Sequence, residues 1–169
     1  MKRHIPFLIF AFLLLLLIGC SQAANTDEPP KIVYGQDVCE RCGMLISEEN
    51  FAAAYWTKDG EARLFDDIGG MIAYNTESSE DVASYWVHDF ETGEWLRAED
   101  ATYLLDSDLM TPMGFGIAAF AKEEQARALA YGQEDIMIMP FAALIAMNIT
   151  MPDDLHELIH AEDGHTHTE

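Results

Sequence analysis

Phe51-Ala-Ala-Ala-Tyr-Trp-Thr57 is a short apolar block that stops at Lys58-Asp59-Gly60, and a second block follows from Glu61 to Phe65. Two such runs around an Asp-Gly turn predict a β-hairpin. Asp66 then stands where a helix cap is expected, and Ile68, Met71, Ile72 and Tyr74 form the apolar side of a helix through about Asn75. Ser84 to Asp89 predicts a third strand, Thr92-Gly93 a turn, and Trp95-Leu96 the start of the next segment. The order then recurs. Tyr103–Asp106 and Gly116–Phe120 read as strands, Glu123–Tyr131 as a helix stopped by Gly132, and Asp135–Met139 as a closing strand. The pattern predicts an α+β fold: two ββαβ units packed as one domain and joined over Trp95–Asp100. Arg63-Leu-Phe-Asp-Asp-Ile and Ile117-Ala-Ala-Phe-Ala-Lys occupy matching positions. Pro140 and Pro152 can each open a helix, which predicts C-terminal helices over 141–147 and 153–161. The polar end from Asp163 predicts a disordered tail.

The N-terminus follows a different pattern. Lys2 and Arg3 precede an unbroken apolar run from Phe7 to Ile18. Twelve residues suit a signal h-region better than a bilayer span. Leu17-Ile18-Gly19-Cys20 resembles a bacterial lipobox, so the expectation is a lipoprotein signal peptide over 1–19, with lipidation on Cys20. Residues 20–32 are polar and proline-containing, and predict a flexible tether. Residues 33–155 are of single-domain size, and 156–169 form a His-rich acidic tail. The expected location is extracytoplasmic, with the chain lipid-anchored to a bacterial membrane on the periplasmic side or the cell surface.

Thirty acidic and nine basic residues give a formal charge of −21, and removal of Lys2 and Arg3 with the leader makes the balance more acidic still. This argues against nucleic acid and against an anionic lipid surface as partners. It also supplies solubility. The lipid anchor remains the expected link to the membrane.

The candidate chemistry lies in Cys39-Glu40-Arg41-Cys42-Gly43-Met44, which puts two thiols and a thioether within six positions. Three readings are open: a disulfide, a redox dithiol, or a metal site. Tyr34-Gly35-Gln36-Asp37 is not an apolar strand, so the thioredoxin-like context is missing. A structural zinc site needs four ligands, and no second Cys-x-x-Cys exists. Soft sulfur ligands select Cu(I), which accepts two or three donors. Cys42 with Met44, Met113, or both supplies such a set. Met113 stands in Met110-Thr-Pro-Met113-Gly-Phe-Gly116, where an exposed loop is a poor place to bury a hydrophobe. Met71, Met137, Met139 and Met147 lie in apolar stretches and read as core, and His88 as a structural histidine. His156, His160, His165 and His167 are candidate auxiliary metal donors, the first two at i, i+4 of the last helix. No phosphate-cradling loop is present, and Asp66-Asp67 read as helix-capping carboxylates.

Cys39-x-x-Cys42-Gly43-Met44, Phe65-Asp66-Asp67-Ile68-Gly69, Tyr85-Trp86-Val87 and Thr111-Pro112-Met113-Gly114 occur in one order behind a lipobox. Together they resemble the NosL family, copper lipoproteins associated with nitrous oxide reductase maturation, over about Cys39 to Tyr131. The resemblance implies two ββαβ units, shaped like an organomercurial lyase but without that chemistry. It implies a chaperone carrying Cu(I) outside the cytoplasmic membrane, not an enzyme. Its partners would be nitrous oxide reductase and an ABC-transporter-type maturation complex. Carried over, the cysteine of the Cys-Gly-Met element is Cys42, and the methionine of the Thr-Pro-Met-Gly element is Met113. Met44 and Cys39 follow as further ligands. The alternatives are a thiol-disulfide oxidoreductase using Cys39 and Cys42, and a lipid-tethered scaffold with a structural disulfide.

Overall fold

A computed structural model describes residues 24–132 and 136–162. Residues 1–19, expected to be a signal peptide, lie outside the described residues, as do Cys20, His165 and His167. Strand β1 (Ala53–Thr57) turns at Asp59-Gly60 into β2 (Ala62–Phe65). Helix α1 (Ile68–Ser78) follows, then β3 (Val82–His88) and β4 (Trp95–Arg97). The second unit runs β5 (Thr102–Asp106), β6 (Ile117–Phe120), α2 (Glu123–Leu129) and β7 (Ile136–Pro140). Two helices close the described chain, α3 (Phe141–Ala146) and α4 (Pro152–Glu162).

The two ββαβ units are present and share one topology. The sheets run β2-β1-β3-β4 and β6-β5-β7, so in each unit the first strand is central and the hairpin and the returning strand flank it. All the pairs are antiparallel. The connection over Trp95–Asp100 is more than a linker: β4 adds a fourth strand to the first sheet, and Ala98–Asp100 form a 3-10 turn. The N-terminal strand is shorter than the apolar block suggests, because Glu49–Phe51 wind into a 3-10 turn. The units meet at Asp89, which bridges to Ala119 and accepts the Ala121 N–H at 2.7 Å through Oδ2.

One core serves both units. Tyr55, Phe65, Ile68 and Met71 of the first, and Tyr103, Phe115 and Ile117 of the second, are all fully buried in it. Met71 is core as expected, and Met137, Met139 and Met147 pack on its margin. Phe141 opens α3 between Tyr85 and Tyr103, with ring centroids 5.2 and 5.7 Å away. In α4, Leu155 and Ile159 are buried, which docks the last helix on the same core. His156 and His160 fall within this helix.

Two details bear on the site. The N-terminus of α1 has no room for side chains: a Cβ on Gly69 would lie 2.2 Å from Phe115 Cγ, and one on Gly70 2.6 Å from Met113 Sδ. The loop between β5 and β6 is thereby packed directly on the first unit's helix. Residues 26–28 also bind the sheet. Trp56 Nε1 donates to Glu28 O at 2.8 Å, Ser84 Oγ to Thr26 O at 2.7 Å, and Arg97 pairs with Asp27 at 2.9 Å. No described helix is long and apolar enough to cross a membrane.

Candidate metal centre

Cys39 and Cys42 sit on a tight loop. Cys39 N–H donates to Met44 O at 2.8 Å, and Gly43 N–H returns to Cys39 O at 3.0 Å. Gly43 has φ +72°, a conformation that an L side chain resists. Glu40 N–H donates to Leu64 O at 2.9 Å, which pins the loop to β2. Arg41 anchors it from the other side: Nη2 donates to Thr150 O at 2.7 Å, and Nη1 lies 3.0 Å from Glu77 Oε1. The loop is therefore held by the hairpin, by α1 and by the segment leading into α4.

Asp66 follows β2 and completes the cluster. One ligand atom each from Cys39, Cys42 and Asp66 lies within 4.8 Å of the other two. Cys42 Sγ donates to Asp66 Oδ2 at 3.4 Å. Asp66 Oδ1 is buried and has no hydrogen-bond partner. An unsatisfied buried carboxylate oxygen is costly, and a cation is one group that would satisfy it. Both thiols are free. Cys39 is buried, and desolvation pushes its thiol up to about 12, although the N–H groups of Cys42, Asp66 and Arg41 favour the thiolate.

The sequence reading of Asp66 as the helix cap is corrected here. Asp67 caps α1: its Oδ1 accepts the N–H groups of Gly69 at 2.8 Å and Gly70 at 3.4 Å. Asp67 is extended, at φ −146° and ψ 136°, and neighbouring side chains of extended chain leave on opposite sides. Asp66 is thereby free to face the thiols. Its role escaped the sequence because Cys42 is 24 residues away and an Asp before a helix already has an explanation. The only available hint was that two adjacent carboxylates compete for one cap.

Met113 is also not where an exposed loop would put it. It is half-buried against the core, with Sδ over Gly70. Thus Cys39, Cys42 and Asp66 form one cluster, and Met113 lies over the first turn of α1, which Asp67 separates from Asp66. Met44 occupies the outer side of the cysteine loop and is 51% exposed.

His88 takes the structural role expected of it. Its Nδ1 donates to Gly93 O at 2.7 Å, so its Nε2 accepts the Tyr34 hydroxyl at 2.7 Å. This bond ties the start of the cysteine-bearing segment to β3. Burial lowers the imidazole pKa, and the ring packs tilted against Trp95 with centroids 3.7 Å apart.

The arrangement has two thiols and one unsatisfied carboxylate oxygen, and the Met113 thioether lies on the first turn of the helix that follows. Such a set suits a thiophilic ion held by few donors. Comparison with known proteins points the same way. A family model described as NosL matches residues 30–143. The copper-binding lipoprotein NosL of Stutzerimonas stutzeri is 25% identical over 126 residues, covering 68% of this chain and 66% of its own length. The chain thus spans just under two thirds of that relative. The crystal structure of the copper chaperone NosL from Shewanella denitrificans matches with a TM-score of 0.59 at 20% identity, over 67% of this chain and 92% of that one. This second likeness is one of fold. Both relatives are named for binding or carrying copper, and neither as an enzyme. The family model takes in both cysteines, the Asp66-Asp67 pair, Met113 and the two ββαβ units, and the chain belongs to the NosL family.

Proposed function

We propose that this protein is a membrane-anchored, extracytoplasmic Cu(I) carrier that delivers copper to nitrous oxide reductase by ligand exchange. The observation that carries this reading is the cluster of Cys39, Cys42 and Asp66. Cys42 and Met113 supply the principal soft donors, Cys39 joins after losing its proton, and Met44 serves at the exposed edge of the loop. Few donors near the surface leave a coordination position open, so a partner's ligand can enter before the first one leaves. The lipobox-like Leu17-Ile18-Gly19-Cys20 supports lipidation at Cys20, and the expected tether over 20–32 is shortened where Thr26, Asp27 and Glu28 bind the first sheet. An ABC-transporter-type maturation complex is the docking partner this reading implies. The histidines at 156, 160, 165 and 167 would act as auxiliary, weaker donors.

Cys42→Ser tests the copper site. Competition with a chromophoric Cu(I) chelator should show loss of 1:1 binding. An affinity within about threefold of the parent, under about 0.7 kcal/mol, removes Cys42 as the anchor. Mixing the loaded protein with copper-free reductase tests delivery, which should restore the reductase's copper absorption. A thiol-disulfide oxidoreductase is disfavoured because Cys39 is buried, out of reach of a substrate disulfide. Insulin reduction should show no turnover.

A further inference from the structure

We propose that Asp67 is the positioning residue of the copper site, fixing Met113 without itself touching the metal. This rests on the reading of Met113 as a ligand. A helix cap needs one carboxylate oxygen, and Oδ1 of Asp67 fills that need at Gly69 and Gly70. The second oxygen reaches a loop more than forty residues away. Oδ2 accepts the Thr111 hydroxyl at 2.6 Å and the backbone N–H of Met113 at 3.0 Å. Asp67 is fully buried, and these four bonds compensate its carboxylate for the loss of water.

The loop is then locked by its own bonds. Thr111 Oγ1 accepts the Gly116 N–H at 3.2 Å, and Thr111 O accepts the Gly114 N–H at 3.0 Å. Held by its backbone, Met113 rests its sulfur against the bare surface of Gly70. The adjacent Asp66 meanwhile holds Cys42. One dipeptide at the head of α1 therefore sets both halves of the site: Asp66 the thiol half, and Asp67 the thioether half. Preorganised donors bind more tightly because their ordering is complete before the metal arrives.

The test is a double-mutant cycle on the full chain. In Asp67→Asn, Oδ1 can still cap α1, but the amide presents donors to Thr111 and Met113 where an acceptor is required. Cu(I) affinity should fall about tenfold or more, and Met113→Leu should cost a similar factor. If Asp67 acts through Met113, adding Asp67→Asn to Met113→Leu should change affinity less than twofold. Multiplying factors overturn the proposal. A second measurement needs no copper. In the metal-free protein, the nuclear Overhauser contact between the Met113 methyl and Gly70 should vanish in Asp67→Asn. Its persistence overturns the proposal, whereas a neutral Met113→Leu variant instead overturns Met113 as a ligand. Should Asp67→Asn fail to fold, Thr111→Val removes one of the two Oδ2 partners and leaves the cap. It should weaken Cu(I) binding about threefold with the same lack of additivity, and an unchanged affinity overturns the proposal.

Discussion

Asp66 Oδ2 lies 3.4 Å from Cys42 Sγ, while the other oxygen of the same carboxylate is buried without a partner. Stability and binding thus pull in opposite directions at one residue. An unsatisfied buried polar atom costs about 1–3 kcal/mol, and functional sites commonly retain such costs. Asp66→Ala removes the orphan. The metal-free variant should melt at or above the parent temperature, and its Cu(I) affinity should drop about tenfold, near 1.4 kcal/mol. Thermal melts and chelator competition check the two halves separately. A lower melting temperature with unchanged affinity would make Asp66 purely structural.

Cys39 predicts a proton count. Burial pushes its thiol up to about 12, so it is protonated at neutral pH, and its recruitment by Cu(I) must release that proton. The logarithm of the affinity should therefore climb with pH, and the slope between pH 6 and 8 should drop by about one in Cys39→Ser. An unchanged slope removes Cys39 from the ligand set. The same shift affects the metal-free fold at high pH. Its folded value is raised, so its contribution is complete below the unfolded value and is lost as pH rises through the folded one.

His88 predicts the acid limb. Burial holds its pKa below the ordinary value, so the folded protein prefers neutral imidazole. That contribution is present above the unfolded pKa of about 6.5 and is lost as pH falls through the folded one. His88→Gln should lower stability at pH 7.5 and flatten its decline toward pH 5. Urea midpoints at both pH values measure this. A parallel decline in parent and variant would assign the acid limb to other groups.

Gly69 predicts a packing penalty. A methyl there would sit 2.2 Å from Cγ of the fully buried Phe115. Gly69→Ala should destabilise by about 1–3 kcal/mol, the usual cost of overpacking a core. The helix-propensity gain of alanine over glycine is only about 1 kcal/mol. Gly70→Ala meets the flexible end of Met113 instead. It should cost less stability and more copper affinity, so denaturation and competition should rank the two variants in opposite order.

The local signals in this chain were sufficient for most of its elements. The Asp59-Gly60 turn, the apolar blocks on either side of it and the Pro140 start all act over a few residues. Both ββαβ units could therefore be traced in sequence order. β4 was too short to announce itself, and the 3-10 turn at Glu49–Phe51 interrupts an apolar block that periodicity alone would extend.

The site depended on longer-range geometry. The sequence by itself offered Cys39 and Cys42 as candidate donors by their spacing, and Met113 by its Thr-Pro-Met-Gly setting. Tertiary structure alone decided the two aspartates. Either could cap a helix, and the choice depends on which side of an extended chain faces the cysteine loop. Asp67 accepts four hydrogen bonds, two from α1 and two from a loop of the second unit, and Asp66 is left to the thiols. The contacts of Asp66 with Cys42 and of Asp67 with Thr111 and Met113 join residues 24 to 46 positions apart. Hydrophobic patterning declares which face of an element is buried, but not which polar group will meet it there.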